Sequence, residues 1–339
     1  MASMEMTRRG FGSLVGGLGA SVIGAGLLGG CVGPSGGDVP PETIQLSWLK
    51  DVSFAGTYIA DSRGWFKDEG LDVELRPGGP NVVVPPVVAA GTALVGMAST
   101  DVTAAARAQG TMLKIIAARF RRNPFCIISL GDRPLNTPTD LSGRTIGVSP
   151  TNTLAFKSFL ALNNVAEDSV KQVPIQFDAT PLTKGEVDGI LGYYTSQPND
   201  LRASGIEPVT MLLSDFGFSL YENVYIVKDE SLVSHRDRIE AFMRAERRGW
   251  QANLDDPDLG VRTTMTDAGG RDAGLDEKVQ ALINSTQIEL IKPGSGQVLF
   301  GMDDKGIAAN LSLLRGRLGI NAPDDLFDTS VLDAIAAKA

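Results

Sequence analysis

The stretch IQLSWLKDVSFAGTYIADSRGWFKDEGLDVELRP, residues 44–77, decides the fold. IQLSWL (44–49) is a short apolar run of strand length, Phe54 to Glu69 carries helical spacing stopped by Gly70, and LDVELRP opens the next strand. Strand, crossover helix and second strand make a βαβ unit, so a parallel sheet is expected. The helix start is unusual. Ser53 is a candidate N-cap, and the small residues Ala55 and Gly56 follow in the first turn, where backbone N–H groups lack intrahelical partners. A ligand could reach donors that no bulky side chain covers.

The alternation continues outward from this unit. Val83 to Ala90 reads as a short helix, LVGMAST as a strand, DVTAAARAQG as a helix and LKIIAARF as a strand. FCIISL leads into the turn-rich segment DRPLNTPTDLSGRTIGVS. Beyond it TIGVS, a helix over TLAFKSFLALNNV, QVPIQFD, GEVDGILGYY and EPVTMLL form a second series. NVYIVKD reads as a strand, and from Ser234 onward the spacing is almost wholly helical, over 235–254, 275–290, 302–318 and 330–337. The chain has 339 residues, enough for two domains at roughly 100–200 residues each. We expect an α/β protein of two lobes with largely parallel sheets: residues 42–130 plus 224–339 in lobe one, and 131–223 in lobe two.

Composition narrows the chemistry. The formal net charge is -9, and the first 30 residues hold Arg8 and Arg9 against Glu5, so the remainder is more acidic still. Such a body repels phosphate backbones, and no nucleic-acid partner is expected. Two cysteines, Cys31 and Cys126, and one histidine, His235, cannot assemble the usual structural zinc site or a His-assisted nucleophile. No metal, cofactor or catalytic residue is implied. Cys126, inside FCIISL, reads as a buried thiol.

The N-terminus has the order of an export signal. Thr7-Arg8-Arg9-Gly10-Phe11 precedes an uncharged run through Gly30, and Leu28-Gly29-Gly30 leads to Cys31. The paired arginines resemble a twin-arginine signal, and LGGC resembles a lipobox whose cysteine is acylated. A retained membrane anchor is the alternative, since about 20 residues suffice to span a bilayer, although the many glycines make the run weakly hydrophobic. Residues 31–41 then form a flexible tether. The expected location is the outer face of the cytoplasmic membrane, lipid-anchored.

Ligands of two-lobed α/β proteins bind at strand ends, in the crevice between domains. After the first strand stand Trp48, Asp51, Phe54, Ala55, Gly56 and Tyr58. After the second comes Asn81, and after the third Ser99, Thr100 and Asp101. In lobe two the matching places are SPTNT (149–153), with Asn152, and GYYTSQPND (192–200), with Tyr193, Tyr194 and Gln197. Tyr221, Glu222 and Asn223 stand where the chain recrosses. All five tyrosines fall at or near these ends. Aromatics, amides and hydroxyls with only Lys50 close by favour a neutral or weakly charged flat ring. Stacking contributes about 0.5–1.5 kcal/mol per pair while micromolar affinity needs about 8 kcal/mol, so burial and hydrogen bonds must supply the rest. Bland readings stand beside these. Ile59, Trp65 and Phe66 have core spacing, Phe54 suits a helix entry as well as a cleft, Asp101 suits a helix cap, Glu222 suits a surface turn, and one of Tyr193 and Tyr194 must face away because strand neighbours alternate.

At these residues the chain resembles a known group. FAGTYIADSRGWFKDEGLDVELRPGGPNV, NPFCIISLGDRPLNTPTDLSGRTIGV, VDGILGYYTSQPNDLRASG and LYENVYIVKDESL resemble the solute-binding lipoproteins of ABC importers related to thiamine-pyrimidine-precursor, riboflavin and alkanesulfonate binders. The resemblance covers roughly residues 42–255 and implies a two-lobed type II periplasmic-binding-protein fold, closing on a small ligand and docking on a permease. A monomer is expected. GYYTSQP and YENVY are similar to the pyrimidine and riboflavin branches. The implied ligand is a thiamine pyrimidine precursor or similar heteroaromatic, with riboflavin as the alternative and an exported enzyme as a further one. Fungal pyrimidine synthases of the group consume one of their own histidines and carry a cysteine-rich iron motif. This chain has His235 alone, outside the cleft segments, and no cysteine run.

Overall fold

The computed structural model describes residues 42–337 except residue 177. The expected export signal, the Cys31 acylation site and the tether lie outside the described residues.

Lobe one opens with β1 (Glu42–Gln45), a single 3-10 turn over Val52–Phe54, α1 (Ala55–Ser62) and α2 (Trp65–Asp68). β2 (Val73–Arg76), α3 (Val84–Ala89), β3 (Val95–Ala98), α4 (Thr100–Ala108) and β4 (Leu113–Phe120) follow. The expected single helix over 54–69 is broken at Gly64, whose φ of 72° is left-handed. Lobe two holds β5 (Phe125–Leu130), β6 (Thr145–Val148), α5 (Thr153–Leu162), β7 (Lys171–Pro174), α6 (Thr180–Thr183), β8 (Gly189–Tyr193), α7 (Gln197–Ala203) and β9 (Pro208–Leu212). The chain returns through β10 (Glu222–Lys228) and α8 (Ser231–Ser234). It then builds α9 (Arg236–Asp255), α10 (Pro257–Thr266), α11 (Glu277–Ile291), α12 (Asp304–Gly316) and α13 (Ser330–Ala336).

Two five-stranded sheets result, ordered β2-β1-β3-β10-β4 and β7-β6-β8-β5-β9. β1 pairs in parallel with β2 and β3, and β6 with β7 and β8, as the βαβ reading requires. The sheets are mixed rather than largely parallel. β5 runs antiparallel to β8 and β9, and β10 antiparallel to β3 and β4. Each is the strand entered just after the chain crosses between lobes, where it runs back into the middle of a sheet. The expected lobe boundaries therefore shift. β5 belongs to the second sheet and Glu222 and Asn223 to the first, because hydrogen-bond pairing rather than local composition decides membership. The crossings are residues 121–124 and 213–221. Asn123, fully buried, fastens them by donating to the Leu220 carbonyl (3.1 Å), and its own Oδ1 accepts the Phe125 N–H (3.0 Å). Arg122 pairs across them with Asp215 (2.6 Å).

The helical C-terminal third packs on lobe one. α1 is buried from Ala55 through Ala60 because it lies against α9 and α10 as well as the sheet. A Cβ at Gly249 of α9 would run into the Gly56 carbonyl oxygen, and one at Gly56 would meet the Trp250 indole. Phe66 stacks on Phe242 with ring centroids 5.4 Å apart, and Ile59 is core. Trp65 is only partly buried, beneath the Arg248 guanidinium at 4.0 Å. Cys126 is fully buried in β5, and burial pushes its thiol well above the ordinary range.

Candidate functional site

Between the sheets lies a cavity of about 490 Å³ walled by strand ends and helix starts of both lobes. Its aromatic surface comes from Trp48, Phe54 and Phe120 of lobe one and Tyr193 of lobe two. Its polar groups include Asp51, Ser99, Glu222 and Asn223 on one side and Asn152, Ser196 and Gln197 on the other.

Glu222 is the hub. Its Oε1 accepts the Ser99 hydroxyl at 2.7 Å from lobe one and the Tyr193 hydroxyl at 2.8 Å from lobe two, so one carboxyl ties the lobes together inside the cavity. Tyr193 is set by three neighbours. Its ring meets Phe125 edge-on at 4.7 Å, its N–H donates to Gln197 Oε1 at 2.9 Å, and Gly192 without a Cβ leaves room for that amide. Asn223 has φ of 51°, a left-handed conformation uncommon outside glycine but tolerated by asparagine. An even pleat would send Glu222 and Asn223 to opposite faces. The left-handed step lets both line the cavity, and Asn223 Oδ1 accepts the Ser47 hydroxyl at 2.7 Å. A second link between the lobes runs from α7 to α11, where Asn199 Nδ2 donates to Thr286 Oγ1 at 3.1 Å.

Burial and a shortage of cations shape the electrostatics. Desolvation, then the nearby Asp101 charge, pushes Glu222 up to about 7. Desolvation pushes Asp101 up to about 6, and Asp200 to about 6 with a contribution from Asp51. Asp51 is itself raised by burial. Behind the Phe54 wall lies Arg119, 2% exposed, 5.1 Å from the Phe54 and Trp250 rings and donating to the Ser53 carbonyl at 2.6 Å. No group of three or more His, Cys, Asp or Glu side chains among the described residues is placed to hold a metal ion.

These carboxyls give a sign to the pH dependence. Their folded values lie above the unfolded ones, so stability from the protonated forms is full below about pH 4 and is lost as pH rises through about 6 and 7. The ligand-free protein is expected to be more stable at pH 5.5 than at pH 8 by about 2 kcal/mol. Calorimetric melts across that window check this, and a flat or opposite trend would count against an unpaired acidic cavity.

Of the residues expected at the site, Trp48, Asp51, Phe54, Ser99, Asn152, Tyr193, Gln197, Glu222 and Asn223 meet around the cavity. The others stand elsewhere. Ala55 packs with Val52, Val261 and Ile283 against α10, and Gly56 and Tyr58 are core beneath α9, where the missing Cβ of Gly56 makes room for Trp250. The cap is Asp51, whose Oδ1 accepts the Ser53 N–H at 2.8 Å, and not Ser53. Asn81 is exposed on its turn, and Val82 to Pro85 take the wall position instead. Thr100 is buried and donates to the Tyr221 carbonyl at 2.7 Å. Tyr194 faces away, packed near Cys126. Tyr221 points toward α12, with its ring edge-on to Phe327 at 6.2 Å. Phe120, Ser196 and Gln287 line the cavity without having been singled out. Phe120 was legible as the end of a strand, but Gln287 reaches the site from a helix far along the chain and has no local signal.

A family model described as NMT1/THI5 like matches residues 51–259. The riboflavin-binding protein RibY of Chloroflexus aurantiacus is 28% identical over 222 residues, covering 64% of this chain and 63% of that protein. The chain thus aligns with less than two thirds of that relative. The formylaminopyrimidine-binding protein of Halalkalibacterium halodurans is 22% identical over 271 residues, 78% of this chain and 81% of its own length. A 4-amino-5-hydroxymethyl-2-methylpyrimidine phosphate synthase of Schizosaccharomyces pombe is 24% identical over 236 residues, 63% and 66%. Among solved structures, the alkanesulfonate-binding protein SsuA of Xanthomonas axonopodis pv. citri, bound to MOPS, superposes with a TM-score of 0.63 at 14% identity, covering 85% of this chain and 97% of that one. That likeness establishes the two-lobed α/β fold of periplasmic solute-binding proteins.

Proposed function

The chain belongs to the NMT1/THI5-like family, and from that premise we propose that it is an extracytoplasmic solute-binding protein of an ABC importer, closing on a small flat heteroaromatic molecule and handing it to a permease. The cavity carries this reading. Its volume of about 490 Å³ falls within the roughly 300–1,000 Å³ of sites for drug-sized ligands. Its aromatics are Trp48, Phe54, Phe120 and Tyr193, and the polar hub Glu222 joins the lobes. The protein acts by binding rather than turnover. Export and anchoring through an acylated Cys31 rest on Arg8, Arg9 and the LGGC run, and the intact mass of the mature protein tests them.

A cavity of this volume is generous for one six-membered ring and suits a fused ring system such as an isoalloxazine. Purified protein incubated with riboflavin and desalted is expected to retain a yellow flavin with quenched fluorescence. A single-ring aminopyrimidine is the second reading. The alignment spans 81% of the formylaminopyrimidine-binding relative, and a carboxyl such as Glu222 suits the donor–acceptor edge of an aminopyrimidine. Stabilisation by formylaminopyrimidine with no flavin retained would select it, and no response to either would sink the proposal. An unchanged ligand mass over hours is expected, whereas conversion would point to an enzyme.

Tyr193→Phe removes the hydrogen bond between the lobes and leaves the ring packed on Phe125. A hydrogen bond between neutral groups contributes about 0.5–1.5 kcal/mol, so closure on the ligand, and with it affinity, is expected to weaken about 2- to 10-fold. Ligand titration measures this, with the ligand-free melting temperature expected to stay within a degree or two.

A further inference from the structure

We propose that Glu222 selects the ligand's ring by meeting it as a neutral carboxylic acid that donates its proton to a ring nitrogen, so that the complex formed above neutral pH takes up a proton. This assignment rests on the heteroaromatic reading above.

The geometry of the hub points to it. Glu222 is 2% exposed, both hydroxyls that reach it land on Oε1, one from each lobe, and the adjacent Asn223 N–H also bears on the carboxyl. The acid proton is therefore placed on Oε2, which takes neither hydroxyl. The charged groups around it supply no counterion. Asp101, on α4, is 1% exposed; its Oδ1 accepts the adjacent Val102 N–H (2.9 Å), its own N–H also bears on the carboxyl, and its Oδ2 has no partner. Arg119, at the end of β4, donates to the Ser53 carbonyl and lies against Phe54. Arg107, on α4, holds Asp325 at 2.9 Å; Lys157, on α5, is among the described residues the cation that lines the cavity, where sequence pointed to Lys50, and it reaches out to the exposed Glu167 at 2.6 Å. Asp51 adds a further acidic group at the wall. Tyr193 donates to Glu222 and remains a phenol, since burial raises it well above its ordinary value.

Asp101 is a second buried carboxyl close enough for its charge to act on Glu222, and burial already lifts both. A neutral ligand that displaces the remaining water makes ionisation costlier still. The carboxyl then keeps or acquires its proton, and a ring nitrogen is the acceptor that satisfies it. A flat ligand without an acceptor nitrogen at that edge leaves the acid O–H buried and unpaired, and is expected to bind about 10- to 100-fold more weakly.

Calorimetric titration of the purified chain at pH 8, in phosphate and in Tris, counts the protons exchanged because the two buffers differ in ionisation heat. With riboflavin or 4-amino-2-methylpyrimidine as probe, an uptake approaching about one proton per ligand is expected, with affinity falling up to about tenfold per pH unit above 7. Glu222→Gln keeps the acceptor oxygen and offers a fixed N–H donor. It is expected to bind with no proton uptake and a pH-independent affinity. Saturable binding by the unsubstituted protein with zero uptake, or with proton release, overturns the assignment whether or not the variant folds. Uptake that persists in Glu222→Gln overturns it as well. If neither probe gives saturable heat at any pH, the heteroaromatic reading falls and this assignment falls with it.

Discussion

Glu246→Leu is expected to destabilise the protein by about 3–5 kcal/mol and to loosen the ligand wall at the same time. Glu246 sits on α9, fully buried, and its Oε1 accepts three donors: Thr57 Oγ1 at 2.7 Å, Tyr225 OH at 2.8 Å and Trp250 Nε1 at 3.1 Å. Leucine fills the space but strands all three donors. It also removes the negative charge that interacts with Arg119, a cation embedded among Phe54, Phe120 and Trp250. Removing one partner of a buried pair is costly because the other stays buried and uncompensated. Arg119 holds the Ser53 carbonyl and underlies Phe54, so the loss is expected to reach ligand affinity through that wall. Glu246→Gln preserves an acceptor at Oε1 but likewise removes the charge beside Arg119, and is expected to cost about 1–3 kcal/mol, less than leucine because the three donors keep a partner. Denaturant unfolding of both variants makes the comparison, and a leucine variant within about 1 kcal/mol of the unsubstituted protein would show that the network does not hold the helices.

Gly249→Ala is expected to cost about 3 kcal/mol for a single methyl group. The new Cβ would run into the Gly56 carbonyl oxygen and lie 3.0 Å from the Ala60 Cβ. A backbone oxygen in a helix has no rotamer by which to move aside, so α1 and α9 must separate and loosen the packing of Trp250 and Tyr58. Gly316→Ala is the matched control. It also lies in a helix, nothing stands within 4 Å of its added Cβ, and the substitution is expected to stabilise by roughly 0.4–1 kcal/mol. Thermal melts of the pair decide. Equal effects at the two sites would mean the helix contact is looser than drawn.

Much of this was legible in the residues, for reasons that differ by level. The alternation of short apolar runs with helical spacing gave the two α/β lobes because each element announces itself within about ten residues. Trp48, Phe54, Ser99, Tyr193 and Glu222 were legible as cavity-lining residues because they stand at strand ends, which the two lobes turn toward each other. What escaped depends on partners distant in sequence. Whether Gly56 opens a path for a ligand or makes room for Trp250 is settled by a helix nearly 200 residues away. The antiparallel course of β5 and β10 follows from crossing between lobes, which no local pattern marks. Asn81 read as a site residue because GGPN follows a strand, but the turn faces outward and the valines after it supply the wall. The helix over 257–266 escaped as well: PDLGVRTTMT holds a proline, a glycine and three threonines, all poor helix formers, and only its cap Asp256, which accepts the Leu259 N–H, marks its start.

The direct pairing of β5 with β9, the first and last strands of the second lobe, aligns Cys126 with Leu212. Entry and exit are neighbouring backbones about one strand spacing apart. Residues 125–212 thus form a contiguous insert that leaves and rejoins lobe one at a single place, although its core is continuous with that of lobe one. Tyr193, Gln197 and Asn152 travel with the insert, while Trp48, Phe54 and Glu222 remain with lobe one. Exchanging that span for its counterpart from a relative with another ligand would recast half of the binding wall through two adjacent junctions, and recognition becomes a trait that recombination can transplant wherever the donor also matches the core and the Glu222 and Thr286 contacts shared between the lobes.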